Sequence, residues 1–389
     1  MDGKKGMPIL PVEAYTSQEW FEQEQELIFG NTWQFAGLIE DIQDPGDYIT
    51  VQCGRQNILV VKGRDQRLRA FHNLCRHRGT QLLRAVGKKQ KALTCPYHDW
   101  SYDLSGQLIN VPEKEKEFPD LELDKICLHK AAVDIWRGML WVHPDPKAMP
   151  ITEWFKGCKE HLGPHQPQRL IEYPDTRYEK EIKANWKIVV ENYIDVYHLA
   201  HLHSHTLNMY DHSKAKFGFV GDHYMFWEPL AKAYFDHLDE LIPFKRIQEM
   251  TDEYIGAYVP WLFPSVGLAE GESSWSIFQV IPLAADRTKV IVRSKMEEMS
   301  DWEYYKQGEK SKKNWKRILG LSTKYESTDP NDPMASGDFM EEDIYVCEQQ
   351  QKSLKNPLLS VMHTAQNGES TIRDFQKIVQ KWMQPNRKK

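Results

Sequence analysis

The sequence predicts an α+β protein: a small all-β domain followed by a larger domain whose antiparallel sheet is covered by helices. Three observations lead there. From about residue 45 to 150, short β-type runs alternate with turn residues. Strand-like runs return between 215 and 300, and beyond 300 apolar residues recur at three- and four-residue steps. At 389 residues the chain is also long enough for more than one domain.

Thr16-Ser17-Gln18-Glu19 has the form of a capping box ahead of a helix through Leu27, Ile28 and Phe29. Residues 1–44 therefore read as an N-terminal helical segment, expected to pack on the larger domain. The small domain, 45–150, carries β runs at 48–51, 58–61, 68–71 and 135–142, and ends at the linker Pro144-Asp145-Pro146. The larger domain is 151–389. Within it Asn185 to His198 reads as a helix, because Trp186, Val189, Val190, Tyr193, Ile194 and Tyr197 fall at helical spacing. Runs at 275–281 and 289–293 suggest the sheet, and helical patterns occupy about 300–318, 338–356 and 369–383.

Hydrophobic residues make up 41% and charged residues 27%, as in a soluble globular protein. A net charge of −6 argues against nucleic acid as a partner. No run of 18 apolar residues occurs, so no membrane span is expected, and Met1-Asp2-Gly3-Lys4-Lys5 leads into no apolar stretch of the kind a signal peptide has. Six cysteines do not make a disulfide framework, and a cytoplasmic location is expected; Cys53, Cys127, Cys158 and Cys347 read as ordinary reduced thiols.

The chemistry is concentrated in two places. Cys75-Arg76-His77 and Cys95-Pro96-Tyr97-His98 are tight Cys–His pairs with 17 residues between them. One Cys and one His from each would supply the Cys2His2 ligation of a Rieske [2Fe–2S] cluster, in which two imidazoles replace two thiolates on one iron. The alternative, a structural zinc site, more often pairs two cysteines in one knuckle and two histidines on a helix. Here each pair is mixed and flanked by Gly, Pro and aromatic residues. A domain for such a cluster needs little over 100 residues, so residues 151–389 need another role.

Five histidines, His198, His201, His203, His205 and His212, follow the helical pattern. Two histidines and one carboxylate form the facial triad of non-haem Fe(II) oxygenases. Spacing alone does not choose the pair: His201 and His205 lie one helical turn apart, whereas His198 and His203 meet only if the helix ends between them. The carboxylate candidates cluster at Asp338, Glu341, Glu342 and Asp343, where acids also complement a helix dipole. Asp195, three positions before His198, would share its helical face as an exposed carboxylate or as an orienter of a metal-bound histidine. Asn192, one turn earlier, points toward the metal or is a helix-surface amide. No Gly-x-Gly-x-x-Gly follows a strand, so electrons must come from another protein, a ferredoxin or an NAD(P)H-dependent reductase.

The segments Cys75-Arg76-His77-Arg78-Gly79 and Cys95-Pro96-Tyr97-His98-Asp99-Trp100 resemble the Rieske domain of the Rieske non-haem iron oxygenases, many of which carry Gly where this chain has Asp99. Asn185-Trp186-Lys187, Glu191-Asn192, Asp195 with His198, and His203 resemble the catalytic-domain motif of the same family. The resemblance implies His198 and His203 as ligands of a mononuclear Fe(II), leaving His201, His205 and His212 as helix-end or supporting residues. It implies Asp343 as the third ligand, from Glu342-Asp343 with Glu348 and Gln349, and Glu342 is its nearest competitor. It further implies that Asp195 links the iron to a Rieske-ligand histidine of a neighbouring subunit, that the protein is a homotrimer, and that it uses O2 on a small molecule.

Phe29-Gly30-Asn31-Thr32-Trp33, Asp44-Pro45-Gly46-Asp47-Tyr48, Trp261-Leu262-Phe263-Pro264 and Glu342-Asp343-Ile344 with Cys347-Glu348 resemble the branch with choline monooxygenase and the betaine and carnitine oxygenases. That branch implies hydroxylation or N-demethylation of a quaternary ammonium compound. Tyr258, Trp261, Phe263, Trp275 and Phe278 are candidates for an aromatic cage around such a cation, or else ordinary core. The alternatives are an aromatic-ring hydroxylating oxygenase, a Rieske electron carrier only, and an inactive binding subunit.

Overall fold

The computed structural model describes residues 8–242, 244–308, 327–329, 331–359 and 362–384. It divides into two compact units, residues 23–154 and residues 1–22 with 155–389. The boundaries differ from the expected 44/45 and 150/151 for a definite reason. Gln34–Leu38 is a strand, and it pairs antiparallel with Met139–His143 in the first unit's main sheet. Residues 23–44 therefore cluster with the first unit, and only the first 22 residues cluster with the C-terminal one.

That first sheet has seven strands in the order Gln34–Leu38, Met139–His143, Lys130–Trp136, Leu68–His72, Gln56–Lys62, Tyr48–Cys53 and Val86–Gly87. The run expected as one strand at 135–142 is a hairpin. Arg137 and Gly138 both have positive φ (50° and 76°), the conformation of a two-residue turn that matches strand twist. In Gln56–Lys62 the apolar run Ile58-Leu59-Val60-Val61 is wholly buried. Alternation sends Leu59 and Val61 into one core with Cys75, Cys95, Trp100 and Tyr102, and Ile58 and Val60 into a second with Leu140 and Val142. The chain's two Cys–His loops thus rest on a core that a central strand supplies. A small sheet of Leu93–Thr94, Ser101–Tyr102 and Leu108–Asn110 carries the second loop.

The expected N-terminal helix is broken into Glu13–Thr16 and Gln18–Glu24, followed by a π-helical turn Gln25–Phe29. Ser17 is the cap, accepting from Trp20 N at 3.2 Å, whereas Thr16 Oγ1 bonds back to Val12 O. The capping signal was shifted by one residue because Ser17 and Thr16 are both competent caps.

In the C-terminal unit an eight-stranded antiparallel sheet runs Ile171–Ile182, Arg287–Met296, Trp275–Ala284, Val266–Glu270, Ala257–Tyr258, His223–Glu228 and Lys216–Val220, with Trp261–Leu262 pairing off this path. Three helices, Trp186–Ile194, Phe339–Leu354 and Ser370–Trp382, accompany it. Residues 301–308 are helical, and the rest of the helix expected over 300–318 lies outside the described residues. No helix among the described residues is long and apolar enough to cross a membrane.

The Trp186–Ile194 helix is shorter than expected and ends before Asp195. Asn185 caps it, accepting from Lys187 N at 3.0 Å and from Lys187 Nζ at 2.7 Å, and its amide donates to Ala285 O. Gln351 of the Phe339–Leu354 helix accepts from Asn185 N at 2.8 Å and donates to Tyr15 O. Tyr15 in turn donates to Glu191 at 2.6 Å, and Gln376 donates to the same carboxylate oxygen at 3.0 Å. Burial pushes Glu191 up to about 7 against the pull of those bonds.

Asp47 is a comparable fixed point in the first unit. Its carboxylate accepts from the amides of Gln43, Asp44 and Lys89 and from Lys88 Nζ, all at 3.0–3.1 Å. Burial opposes ionisation, but these donors overcome it and hold the group at about 2, against 3.8 ordinarily. A folded value below the unfolded one stabilises the fold above about pH 4 and loses that contribution as pH falls through about 2. Asp47→Asn should cost about 2 kcal/mol at pH 7, and denaturant midpoints of the two proteins should converge as pH approaches 2.

Candidate functional site

The two Cys–His loops are built alike. In the first, Cys75 N donates to Thr80 O and Gly79 N to Cys75 O; in the second, Cys95 N donates to Trp100 O and Asp99 N to Cys95 O. Gly79 and Asp99 occupy the same position and both have positive φ, 76° and 52°. Asp tolerates this left-handed conformation better than most residues, which accounts for an Asp where Gly is the easier choice.

Cys75 and Cys95 are buried and unbridged, whereas His98 is exposed and His77 partly so. Burial, with Cys75 alongside, raises the Cys95 thiol. The His77 and His98 ring centres are 4.8 Å apart, and His77 stacks on Trp100 at 4.8 Å. Burial lowers the His77 pKa, with help from His98 and Arg78, which favours the neutral, ligating imidazole. Tyr102 Oη accepts from Arg76 N at 2.9 Å and lies 3.4 Å from Cys75 Sγ, so its own hydrogen is free to point at sulfur. Two adjacent inner thiols and two adjacent outer imidazoles are the donor set of a Rieske cluster.

A residue missed in the sequence fixes the first loop. Buried Asn73 accepts from Leu82 N (2.9 Å) and Leu83 N (3.1 Å) and donates to Asn57 Oδ1 and Leu83 O. It ties the strand leading into Cys75 to the chain leaving the loop. Nothing in composition or spacing distinguishes it from a surface Asn.

The second set lies in the C-terminal unit. His198, His203 and Asp343 present ligand atoms all within 4.8 Å of one another. Asp343 Oδ1 is 3.0 Å from His203 Nε2 and 3.7 Å from His198 Nε2. Donors about 2.1 Å from one metal at right angles are about 3 Å apart, so the set fits a single ion. His203 is 1% exposed, and its Nδ1 lies 2.8 Å from Glu342 Oε2, which also accepts from Thr206 Oγ1. Burial would lower the His203 pKa, but Asp343 and Glu342 raise it. Glu342 therefore orients the far side of the ring while Asp343 faces the near side, the arrangement expected with Asp343 rather than Glu342 as the triad's carboxylate.

The remaining acids have other partners: Asp338 caps the Phe339–Leu354 helix through Met340 N, and Glu341 pairs with Lys180. Asn192 Nδ2 donates to Asp343 Oδ1 at 3.1 Å. Asp195 Oδ2 is 3.2 Å from His198 Nδ1, and its Oδ1 accepts from Tyr197 N. The shared helical face expected for Asp195 and His198 does not exist, because the helix ends at Ile194; a turn brings them together instead. His201 and His205 lie in the turns beyond that helix, and His212 opens a short 3-10 helix, His212–Lys214. His201 packs edge-on against Tyr197, and His212 Nδ1 bonds Glu228 at 2.7 Å.

The triad opens on a cavity of about 420 Å³. Strand parity decides which aromatic residues reach it. Ala257, Val259 and Trp261 line it, and so do Ser276, Phe278 and Val280. Tyr258 and Trp275, at the opposite parity, do not, and Phe263 instead stacks on Trp382. The five-residue cage expected from the sequence is thus reduced to Trp261 and Phe278. Tyr193 completes a trio, its ring 5.2 Å from Trp261 and 6.0 Å from Phe278. Gly267 makes room for it: a Cβ there would come within 2.7 Å of the Tyr193 ring.

Residues 169–385 match the catalytic domain of the ring hydroxylating alpha subunit, and residues 32–132 match the Rieske [2Fe-2S] domain. The chain therefore belongs to the ring hydroxylating alpha-subunit family. The cofactors of that membership are a Rieske [2Fe–2S] cluster and a mononuclear iron. Among particular proteins, the chain is similar to the carnitine monooxygenase oxygenase subunit of Escherichia coli (strain K12), 33% identical over 198 residues, covering 50% of this chain and 52% of that one. The glycine betaine monooxygenase oxygenase subunit of Chromohalobacter salexigens is 33% identical over 205 residues, 53% and 45% of the two chains. The chain thus spans about half the length of the curated relatives it matches. The crystal structure of the quaternary ammonium Rieske monooxygenase CntA with an inhibitor superposes with TM-score 0.74 at 21% identity, over 98% of this chain and 96% of that one, and shows the same fold.

Two substitutions test the loop geometry. Asn73→Ala leaves the Leu82 and Leu83 amides without their acceptor, so purified protein should show a reduced visible absorbance and iron content per chain. Asp99→Gly removes a strained conformation and should leave both at the wild-type level, with thermal stability equal or slightly raised by up to about 1 kcal/mol.

Proposed function

We propose that this protein is the terminal oxygenase of a multicomponent system, which hydroxylates or N-demethylates a small quaternary ammonium compound with O2. The observation that carries this reading is the His198–His203–Asp343 set opening on an aromatic-walled cavity in a chain that also holds a Cys2His2 cluster set. Cys75, His77, Cys95 and His98 would hold the [2Fe–2S] cluster, and His198, His203 and Asp343 the iron. The cluster supplies one electron at a time, and the iron supplies O2 activation.

The protein's own groups do the rest. Glu342 fixes the tautomer and angle of His203, and Asn192 holds Asp343. Tyr193, Trp261 and Phe278 exclude water and offer π faces to a cation. Asp195, beside His198, is proposed as the junction through which an electron arrives from a neighbouring subunit of a homotrimer. A soluble ferredoxin or NAD(P)H-dependent reductase is the proposed donor, and the cytoplasm the proposed location. The relatives acting on carnitine and glycine betaine support the ammonium substrate. A second reading, oxygenation of an aromatic ring, draws on the same flat walls and the family's description. The acidic residues in the cavity favour the cation.

His198→Ala should retain the brown chromophore and two irons per chain but form no product from trimethylammonium substrates with a reductase present. Product at the wild-type rate would remove His198 from the metal site. Asp195→Asn should retain the full iron content yet slow turnover by about two orders of magnitude in single-turnover kinetics. Wild-type kinetics would exclude it from the electron path.

A further inference from the structure

The cavity wall holds one carboxylate oxygen without a hydrogen-bond partner among the described residues. Most of its charged side chains are committed: Asp343 to the triad, Asp195 to Tyr197 N, Glu228 to His212, and Lys180 to Glu341. Glu270 accepts from Gly163 N at 2.7 Å and from Trp275 Nε1 at 3.1 Å. Glu272 is different. It sits in the turn between Val266–Glu270 and Trp275–Ala284 and lines the cavity at 6% exposure, with Oε2 buried and without a hydrogen-bond partner among the described residues. The neighbouring guanidinium of Arg246 is hydrogen-bonded to Met250 O and Asp252.

A buried carboxylate with one oxygen left without a hydrogen bond is costly. Burial accordingly pushes the Glu272 pKa up. Burial raises the pKa values of Tyr210 and Tyr234, the nearby Glu272 adds to the rise, and both line the same cavity. A carboxylate with aromatic residues close by is a complementary site for an organic cation, which needs charge without demanding a directed hydrogen bond.

We propose that Glu272 is the counter-ion for the cationic group of the substrate and sets the preference of this cavity for an organic ammonium over a neutral molecule of the same shape. This deepens the reading given under Proposed function and rests on its cavity being the substrate site. The bound cation favours the ionised form of the acid, and Tyr210 and Tyr234 act as walls that keep the pair's field unscreened. Glu272 touches neither the triad nor its supporting residues, so its removal changes selectivity without dismantling the metal site.

The test is equilibrium binding to the iron-loaded protein by calorimetry under argon with no reductase present, using choline and its uncharged carbon isostere 3,3-dimethylbutan-1-ol. Wild type should bind choline at least about tenfold tighter than the isostere, the scale of one charge-assisted contact. Glu272→Gln should bring the two to within about twofold, with chromophore and iron content unchanged, and Glu272→Asp should keep a partial preference. A wild type that binds neither ligand, or binds both equally, overturns the proposal, as does a Glu272→Gln variant that keeps the full preference. Binding requires no turnover, so selective binding without oxidation under any electron donor would overturn the oxygenase reading and leave the role of Glu272 standing.

Discussion

Everything in the C-terminal unit that resembles a metal site depends on one imidazole. The His203 ring is clamped at both nitrogens by adjacent residues of the Phe339–Leu354 helix, Glu342 at Nδ1 and Asp343 at Nε2. The residues meeting here are separated by 139 and 140 positions in sequence. No local propensity could assemble them, and the clamp exists only because the helix is docked in one orientation. A ring held on both sides cannot rotate away, so the face left toward the cavity is defined before any ligand arrives.

Docking of that helix is in turn braced from behind. Gln351 reads the cap of the Trp186–Ile194 helix and the backbone of Tyr15, while Tyr15, Gln376 and Glu191 form a buried polar knot. Such a knot is strong only when every member is satisfied. It explains why the first 22 residues cluster with a unit that begins some 130 residues later. The N-terminal segment, both helices and Ser370–Trp382 form one support for the triad. The sheet plays the other part: strand alternation turns one parity of side chains into the cavity wall and leaves the other as packing.

The sequence was most informative where chemistry demands particular residue types. The two Cys–His pairs and the His198, His203 and Asp343 set were legible as candidates, and the structure brings the last three together. It was least informative where parity or tertiary contact decides. Tyr258 and Trp275 carried the same aromatic signal as Trp261 and Phe278, and only the register separates them, whereas Phe263 shares the parity of Trp261 and stacks on Trp382 instead. Asp195 and His198 suggested a helical face, yet the helix stops at Ile194 and a turn achieves the same proximity. Asn73 and Glu272 left no trace at all, since an Asn or a Glu acquires its role only from what surrounds it. The strand Gln34–Leu38 follows directly on a helical pattern, and periodicity alone does not mark where one gives way to the other.

Adjacent residues on a helix diverge by about 100° around the axis, so Glu342 and Asp343 reach the two edges of one ring only at a single axial height and rotation. Asp338, capping that helix through Met340 N, therefore sets the phase of the Glu342–Asp343 pair against the His203 ring. Between the cap and Asp343 the spacing is frozen: one inserted or deleted residue would swing both carboxylates off the imidazole together. Ahead of the cap no such phase is imposed, so a change of chain length there would leave both carboxylates in step with the ring.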